Sequence, residues 1–469
     1  LNKRAFIKNV SIAGSSFAAG AVFHKYFFPS EAANGNAPLG EEWKNKRKRN
    51  EKDLTGLLED KDVLKNAQER IEKYRKATFN LQFQNPDQTP FAQKEITLQL
   101  KRHEVDWGCS AAGSAQLLVK DEKHRLRGEK FAALFDCTTA KCYWEERWHQ
   151  PIERYRGRRI YDLFLDEIKW AESLGLKVKG HPLIWTVPKA IPKWLHNYNY
   201  EDQLNYLKNH VQALIYAAGP SVQLWDLCNE MLWEPAFKNI AKREWPHIDP
   251  IEDIAEYIAN GLEWAREVNP NAVYSLNDYG LIYTYRAEIS AEEQRERYLQ
   301  LIDALREKGY LPDAVGCQSH VGGRYQLGAF EKTLQHLAQA GLPVQVTEFW
   351  AQEKDFPDDL PKEEKQKQIA DYICQMYTVG FSIPELNHFT YWGSRAFFDE
   401  NNEPTYAYKQ LHYLIKNEWT TKLTGMTNEK GEMTFQGFKG TYEVKIGEEE
   451  TTLTAFDLND ESEQVITIF

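Results

Sequence analysis

Two glutamates stand at the ends of apolar runs. Glu230 closes V-Q-L-W-D-L-C-N-E (222–230), and Glu348 sits near the end of P-V-Q-V-T-E-F (343–349). A carboxylate in such a place costs free energy unless it is paired or used. Either one alone reads equally well as half of a structural salt bridge with an Arg or Lys. Two of them on strands facing each other across one opening suit glycoside hydrolysis. There, one carboxylic acid protonates the leaving oxygen and the other carboxylate attacks the anomeric carbon. A separation of about 5–5.5 Å corresponds to retention of configuration.

The elements that must carry these residues are short apolar strands alternating with helices. Strand candidates fall at 106–111, 133–139, 177–185, 222–230, 272–279, 313–320, 343–349 and 386–393. Helical patterns lie between them, among them 160–174, 251–268 and 291–308. Eight such repeats predict an α/β fold, a (β/α)8 TIM barrel, whose site is built at the carboxyl ends of the strands. The chemistry-bearing residues fall at those ends: His181, Trp185, Asn229, Glu230, Asn277, Asp278, Gln318, His320, Glu348 and Trp392.

Both flanks of the barrel change period. Leu57, Leu64, Ile71 and Tyr74 recur at helical spacing. Residues 77–108 read as a β-hairpin, T-F-N-L-Q-F and E-I-T-L-Q-L around the turn cluster N-P-D-Q-T-P. Residues 420–469 alternate again between Gly-rich turns. Neither flank buries a core alone, so the expectation is one accessory β-sandwich formed by N- and C-terminal strands. The expected organisation is an export segment (1–35), a linker and amphipathic helix (36–76), the amino-terminal part of the β-domain (77–104), the barrel (105–418) and the carboxy-terminal part (419–469).

Composition narrows the function. The 469 residues carry 58 Lys+Arg against 69 Asp+Glu, a net charge of −11. That argues against nucleic acid, acidic polymers or membranes as main partners. No apolar run is long enough to span a bilayer. The six cysteines, Cys109, Cys137, Cys142, Cys228, Cys317 and Cys374, form neither a disulfide framework nor a C-x-x-C metal pattern. No zinc-hydrolase, P-loop, dinucleotide or serine-esterase motif occurs, and nothing calls for a metal or cofactor. Residues 2–8, N-K-R-A-F-I-K, precede a mildly apolar stretch to Phe23. This is the build of a twin-arginine-like export signal, with Lys3 in place of the first Arg, and implies a periplasmic or extracellular protein.

The strand-end motifs together resemble glycoside hydrolase family 10, the endo-β-1,4-xylanase family. They are G-H-P-L-I-W (180–185), W-D-L-C-N-E (225–230), N-D-Y (277–279), Q-S-H (318–320), T-E (347–348) and W-G (392–393). The resemblance spans about 105–418 and implies a retaining, endo-acting enzyme on xylan. It makes Glu230 the acid/base and Glu348 the nucleophile. Asn229 would hydrogen-bond the sugar 2-OH, and His320 would hold Glu348. His181, Gln318 and Trp392 would line the subsite of the attacked sugar. Trp185 is either a ligand-facing residue there or a core tryptophan. The chain departs from the family in T-A-K-C-Y-W-E-E (139–146), where Lys141, Cys142 and Glu145 replace Glu, Asn and Lys. Thr186 stands for a His, Phe349 for a Leu, and a second Trp after W-G is missing. These departures suit a divergent bacterial branch. They leave open a retaining β-glycanase on a different or decorated backbone, and a catalytically weak carbohydrate-binding protein.

Overall fold

The computed structural model describes residues 57–111, 121–145, 150–241, 247–286, 288–320, 323–446, 451–459 and 463–467. The expected export segment and the linker up to residue 56 lie outside the described residues. The described chain begins with a helix, Asp60–Tyr74. Its buried stripe is Val63, Ala67 and Ile71, with Leu57 and Leu64 partly buried beside it. The apolar face is therefore centred one position from the residues the periodicity singled out.

Two strands follow, β1 (Lys76–Gln84) and β2 (Glu95–His103). The barrel then runs through β3 (Asp106–Cys109), β4 (Cys137–Lys141), β5 (Lys177–His181) and its two-residue continuation β6 (Ile184–Trp185). It goes on through β7 (Val222–Asn229), β8 (Val273–Asp278), β9 (Ala314–Cys317), β10 (Val344–Phe349) and β11 (Leu386–Tyr391). Each strand pairs in parallel with the next, β5 joins β7, and β11 joins β3. The sheet thus closes with eight parallel strands, and closure removes its edges. Helices cross between the strands, among them Asp162–Ser173, Tyr200–Ala218, Ile251–Val268, Ala291–Glu307, Leu327–Ala338 and Lys362–Phe381. Several start on side-chain caps, such as Asn199 accepting from the Asp202 N–H and the Ser290–Glu293 capping box. The barrel is a (β/α)8 TIM barrel, as the alternation predicts.

The expected second strand, 133–139, is displaced to Cys137–Lys141. Ala133 and Leu134 finish the helix Glu122–Leu134, so the apolar run there joins the last helical turn to the strand. One glycine matters for the site. A Cβ at Gly180 would lie 2.3 Å from the Trp225 ring, so that position in β5 admits only hydrogen beside β7.

The flanking strands also differ from a simple hairpin. β1 and β2 belong to different sheets. β1 pairs with β13 (Glu432–Phe438) and β16 (Glu463–Thr467), and β2 pairs with β12 (Lys422–Met426) and β14 (Gly440–Ile446), with β15 (Thr451–Leu458) outside β14. The two sheets meet through Phe79 of β1 and Phe435 of β13 against Tyr442 of β14, with ring centroids 6.2 and 5.7 Å apart. Amino- and carboxy-terminal strands therefore share one accessory sandwich.

The sandwich is joined to the end of the barrel where β3 and β11 begin. His103 packs edge-on against Trp107, Phe381 and Phe438, and Trp419 stacks on Trp107 at 5.7 Å. Burial pushes the His103 imidazole down to about 3, helped by the Lys416 and Arg75 charges, so it sits there neutral. Arg75 is 3% exposed and donates to the carbonyls of Phe381, Ile383 and Leu386 beyond the helix Lys362–Phe381. Its remaining charge faces Glu104 at 2.7 Å. Deleting residues 420–469 removes every described partner strand of β1 and β2. The truncated protein is expected to aggregate or to melt at least about 10 °C lower, at roughly 2–4 °C per kcal/mol. An unchanged melting temperature in a soluble truncation would show two independent modules.

Candidate active site

Glu348 lies in β10, all six of whose residues are buried, and it is 4% exposed. Its carboxylate is held from three sides. Asn277 Nδ2 donates to Oε1 at 2.7 Å, His320 Nε2 donates to Oε2 at 3.2 Å, and His181 Nε2 stands 3.9 Å from Oε1. Burial by itself would raise the carboxyl's pKa. The His320 hydrogen bond and the charges of His181 and His320 outweigh it and hold Glu348 below the usual glutamate value.

His181 is itself oriented from beneath. Its Nδ1 donates to Asp226 Oδ2 at 2.8 Å, and the other oxygen of Asp226 meets Lys179 Nζ at 2.7 Å and Ser275 Oγ at 2.9 Å. Lys179 and Asp226 are each 2% exposed. Burial opposes ionisation of Asp226, but Lys179 and His181 hold it well below the usual range. An ionised Asp226 can only accept, so Nδ1 of His181 carries a proton towards it and the ring is held with Nε2 turned towards Glu348.

Glu230 follows the last residue of β7 with φ at +60°, a left-handed conformation costly for a side chain. Its backbone N–H donates to the Asn277 carbonyl at 2.7 Å, which locks the turn. The carboxylate accepts from Trp185 Nε1 at 2.9 Å and from Gln318 Nε2 at 3.1 Å. Burial raises its pKa, and the Glu348 charge raises it further. Lys189, Gln318 and Trp185 only partly offset these effects. Ser319, at φ +58°, is the second left-handed position at this mouth. It turns the chain between Gln318, which reaches Glu230, and His320, which reaches Glu348.

Three side-chain amides connect the carboxylates. Gln318 Nε2 donates to Glu230 and to Asn229 Oδ1 at 3.1 Å, and Asn277 Nδ2 donates to the same Asn229 oxygen at 2.9 Å and to Glu348. The sequence Glu230–Gln318–Asn229–Asn277–Glu348 is therefore one bonded chain. The Asn229 amide nitrogen donates to no described residue. Trp392 completes the wall, its ring edge-on to His181 at 5.2 Å.

All eight residues predicted for the site are thus brought together: Glu230, Glu348, His181, Trp185, Asn229, Gln318, His320 and Trp392. Trp185 is buried and its Nε1 donates to the Glu230 carboxylate, so it packs in the core and touches the candidate site at once. Asn277 had been placed at a strand end without a role, and it is the bridge. Lys179 and Asp226 were missed, since each reads as an ordinary strand residue until β5 and β7 are adjacent. Tyr143 was missed too. Its ring lies between Trp185 and His181, at 5.4 and 5.8 Å.

The departures from the family pattern have distinct fates. Cys142 turns away from the mouth, its Sγ 3.6 Å from the Pro182 carbonyl. Glu145 pairs with Arg154 at 3.1 Å. Phe349 is core, packed on Tyr372, Tyr377, Phe389 and Tyr391. Thr186 is buried against Tyr257. Lys141 alone of its trio stays at the wall, Nζ 4.4 Å from the Trp392 ring centroid.

Comparison with known proteins agrees with this geometry. An anti-sigma-I factor, RsgI6, of Acetivibrio thermocellus is 23% identical over 81% of this chain, which spans 46% of that protein's length. Endo-1,4-beta-xylanase B of Thermotoga neapolitana is 26% identical over 58% of this chain and 79% of its own. Among solved structures, a GH10 protein of Paenibacillus barcinonensis superposes with a TM-score of 0.54 at 19% identity, covering 66% of this chain and 94% of that one. Xylanase 10B of Thermotoga maritima does so at 0.52 and 21%, covering 67% and 96%. At these identities the structural likeness is one of fold. The sequence profile of "Glycosyl hydrolase family 10" matches residues 145–412, more than half of the chain, starting just past the divergent end of β4. With that match, and with Glu230 and Glu348 joined at the mouth of the barrel, the chain belongs to glycosyl hydrolase family 10.

Proposed function

We propose that this protein is a retaining, endo-acting glycoside hydrolase that cleaves β-1,4-xylosidic bonds in xylan or a closely related β-glycan. The observation that carries this reading is two buried carboxylates at the barrel mouth, linked by one chain of amides and given different neighbours, which push the pKa of Glu230 up and that of Glu348 down. Glu348, kept ionised, attacks the anomeric carbon. Glu230, its pKa raised by burial and by the Glu348 charge, gives a proton to the leaving oxygen. Once Glu348 has become a neutral ester, its charge no longer raises the pKa of Glu230. Glu230 then ionises and activates the water that releases the sugar. Asn229, with its oxygen used twice and its amide nitrogen bonded to no described residue, can donate to a sugar hydroxyl. The xylan assignment is supported by the names of the relatives. The basic, then mildly apolar amino-terminal segment supports export to the periplasm or beyond. A fusion of residues 1–35 to a reporter active only outside the cytoplasm is expected to be active.

Release of reducing ends from a panel of β-glycans tests the activity. Glu230→Gln and Glu348→Gln are each expected to lower turnover at least about 10²–10⁴-fold, the usual contribution of acid–base catalysis, in folded protein. With azide and a dinitrophenyl glycoside, Glu230→Ala is expected to give the β-glycosyl azide and Glu348→Ala the α-product. Reversed configurations would exchange the two roles. Tight glycan binding with no hydrolysis in the wild type would favour a carbohydrate-binding protein instead.

The raised pKa of Glu230 also predicts a stability effect of definite sign. A carboxyl whose folded pKa exceeds its unfolded value destabilises the fold once pH is high enough to ionise it, and not below the unfolded value. Glu230→Gln removes that penalty. Its melting temperature is expected to exceed the wild type's at pH 8, with the gain fading towards pH 4. A gain equal at both pH values would disconnect it from ionisation.

A further inference from the structure

Two loops on the site side of the barrel, those after β4 and β6, do not share the acidity of the whole chain. Lys141 ends β4. The loop after it carries Arg154, Arg156, Arg158 and Arg159, and Lys189 follows in the loop after β6. The two described carboxylates of the β4 loop are matched by two of these cations, Glu145 by Arg154 at 3.1 Å and Glu153 by Arg159 at 3.2 Å. Arg156 lies over the rings of Tyr198 and Tyr206 at 5.2 and 5.3 Å. A net charge of −11 governs the distant field. Within a Debye length of about 8 Å, local charges decide what a ligand meets.

Two of these cations are part of the site's wall. Lys141 Nζ is 4.4 Å from the centroid of Trp392, whose ring meets His181, the neighbour of Glu348. Lys189 Nζ is 4.6 Å from the centroid of Trp185, which donates to Glu230. Both lysines are half-buried. Lys141 is also close to the buried Glu167, which its charge stabilises. An ammonium stacked on a ring at the rim of a carbohydrate cleft is matched to an anion carried by the sugar, because a charge-assisted bond there is stronger than a neutral one. Cys142 meets the Pro182 carbonyl and Glu145 meets Arg154, and Lys141 is the member of the divergent trio whose charge stands against the wall of the cleft.

We propose that the substrate bears a carboxylate side group, a uronic acid on the β-glycan backbone, and that Lys141 selects it. This rests on the hydrolase reading above and names the substrate class within it. The test compares a xylo-oligosaccharide bearing one glucuronic acid with the same oligosaccharide after reduction of its carboxyl to an alcohol. Wild-type kcat/KM is expected to be about tenfold higher on the acid form at low salt, within the usual range for a hydrogen bond to a charged group. The preference is expected to shrink at about 0.5 M NaCl. Lys141→Met should abolish the preference, and Lys141→Arg should keep most of it. Equal rates on the two forms, or a preference surviving in Lys141→Met, would overturn the proposal. A sulfated oligosaccharide preferred to the uronate would overturn the choice of carboxylate.

Calorimetric binding of the same two oligosaccharides to the full chain separates this proposal from the hydrolase reading. Tighter, salt-sensitive binding of the acid form without hydrolysis would support the proposal and reject the hydrolase. Hydrolysis of both forms with equal binding would do the reverse.

Discussion

A carboxylate buried in the middle of a barrel stays ionised only if its surroundings replace the water it has lost. That constraint organises the interior. Glu348 is served by Asn277, His320 and His181. His181 needs Asp226, and Asp226 needs Lys179 and Ser275. Lys179 in turn donates to Gln345, two strand positions below Thr347. The polar column therefore runs down through β5, β7, β8 and β10. Removing Lys179 or Asp226 leaves an unpaired charge below Glu348, which costs far more than one hydrogen bond is worth. Charges in the lower barrel thus reach the chemistry through His181, without touching the mouth.

The second carboxylate is treated in the opposite way. Glu230 receives two neutral donors where Glu348 receives two histidines, and it faces the Glu348 charge. On the proposed reading, this difference in neighbours makes an acid and a nucleophile from the same side chain. The arrangement is strained as well as repulsive. Glu230 and Ser319 both adopt left-handed backbone, a cost of order 1 kcal/mol or more each that persists only where packing determines it. The bond from the Glu230 N–H to the Asn277 carbonyl, and the amide chain through Asn229, supply that determination.

Much of this was legible in the sequence, for a physical reason. Barrel strands are short, and the site lies at their carboxyl ends, so an apolar run that ends in Asn-Glu or Gln-Ser-His announces both a strand and its use. What could not be read depends on which strands become neighbours. K-V-K in β5 reads as an alternating surface strand, yet Lys177 pairs with Asp106 at the rim while Lys179 is sealed against Asp226. β1 and β2 alternate so clearly around a turn cluster that a hairpin was the natural expectation. Their partners lie more than 300 residues away in the chain and divide them between two sheets. The second barrel strand was placed early because Leu134 and Phe135 are buried at the junction of a helix and a strand, where apolar periodicity has no single value.

The family departures sort by depth. Thr186 and Phe349 are packed into the core, where volume and shape decide, and the carboxylate network above them is intact. Cys142 is rotated out of the cleft by its contact with the Pro182 carbonyl. Lys141 stands at the wall of the cleft, against the Trp392 ring. A barrel permits this separation because the strand ends that hold Glu230 and Glu348 are tied to each other by side-chain amides, whereas two cations of the β4 loop pair with carboxylates of that same loop, Glu145–Arg154 and Glu153–Arg159. The wall can then change its charge without moving the carboxylates, so the reaction and the choice of substrate are set by different parts of the same opening.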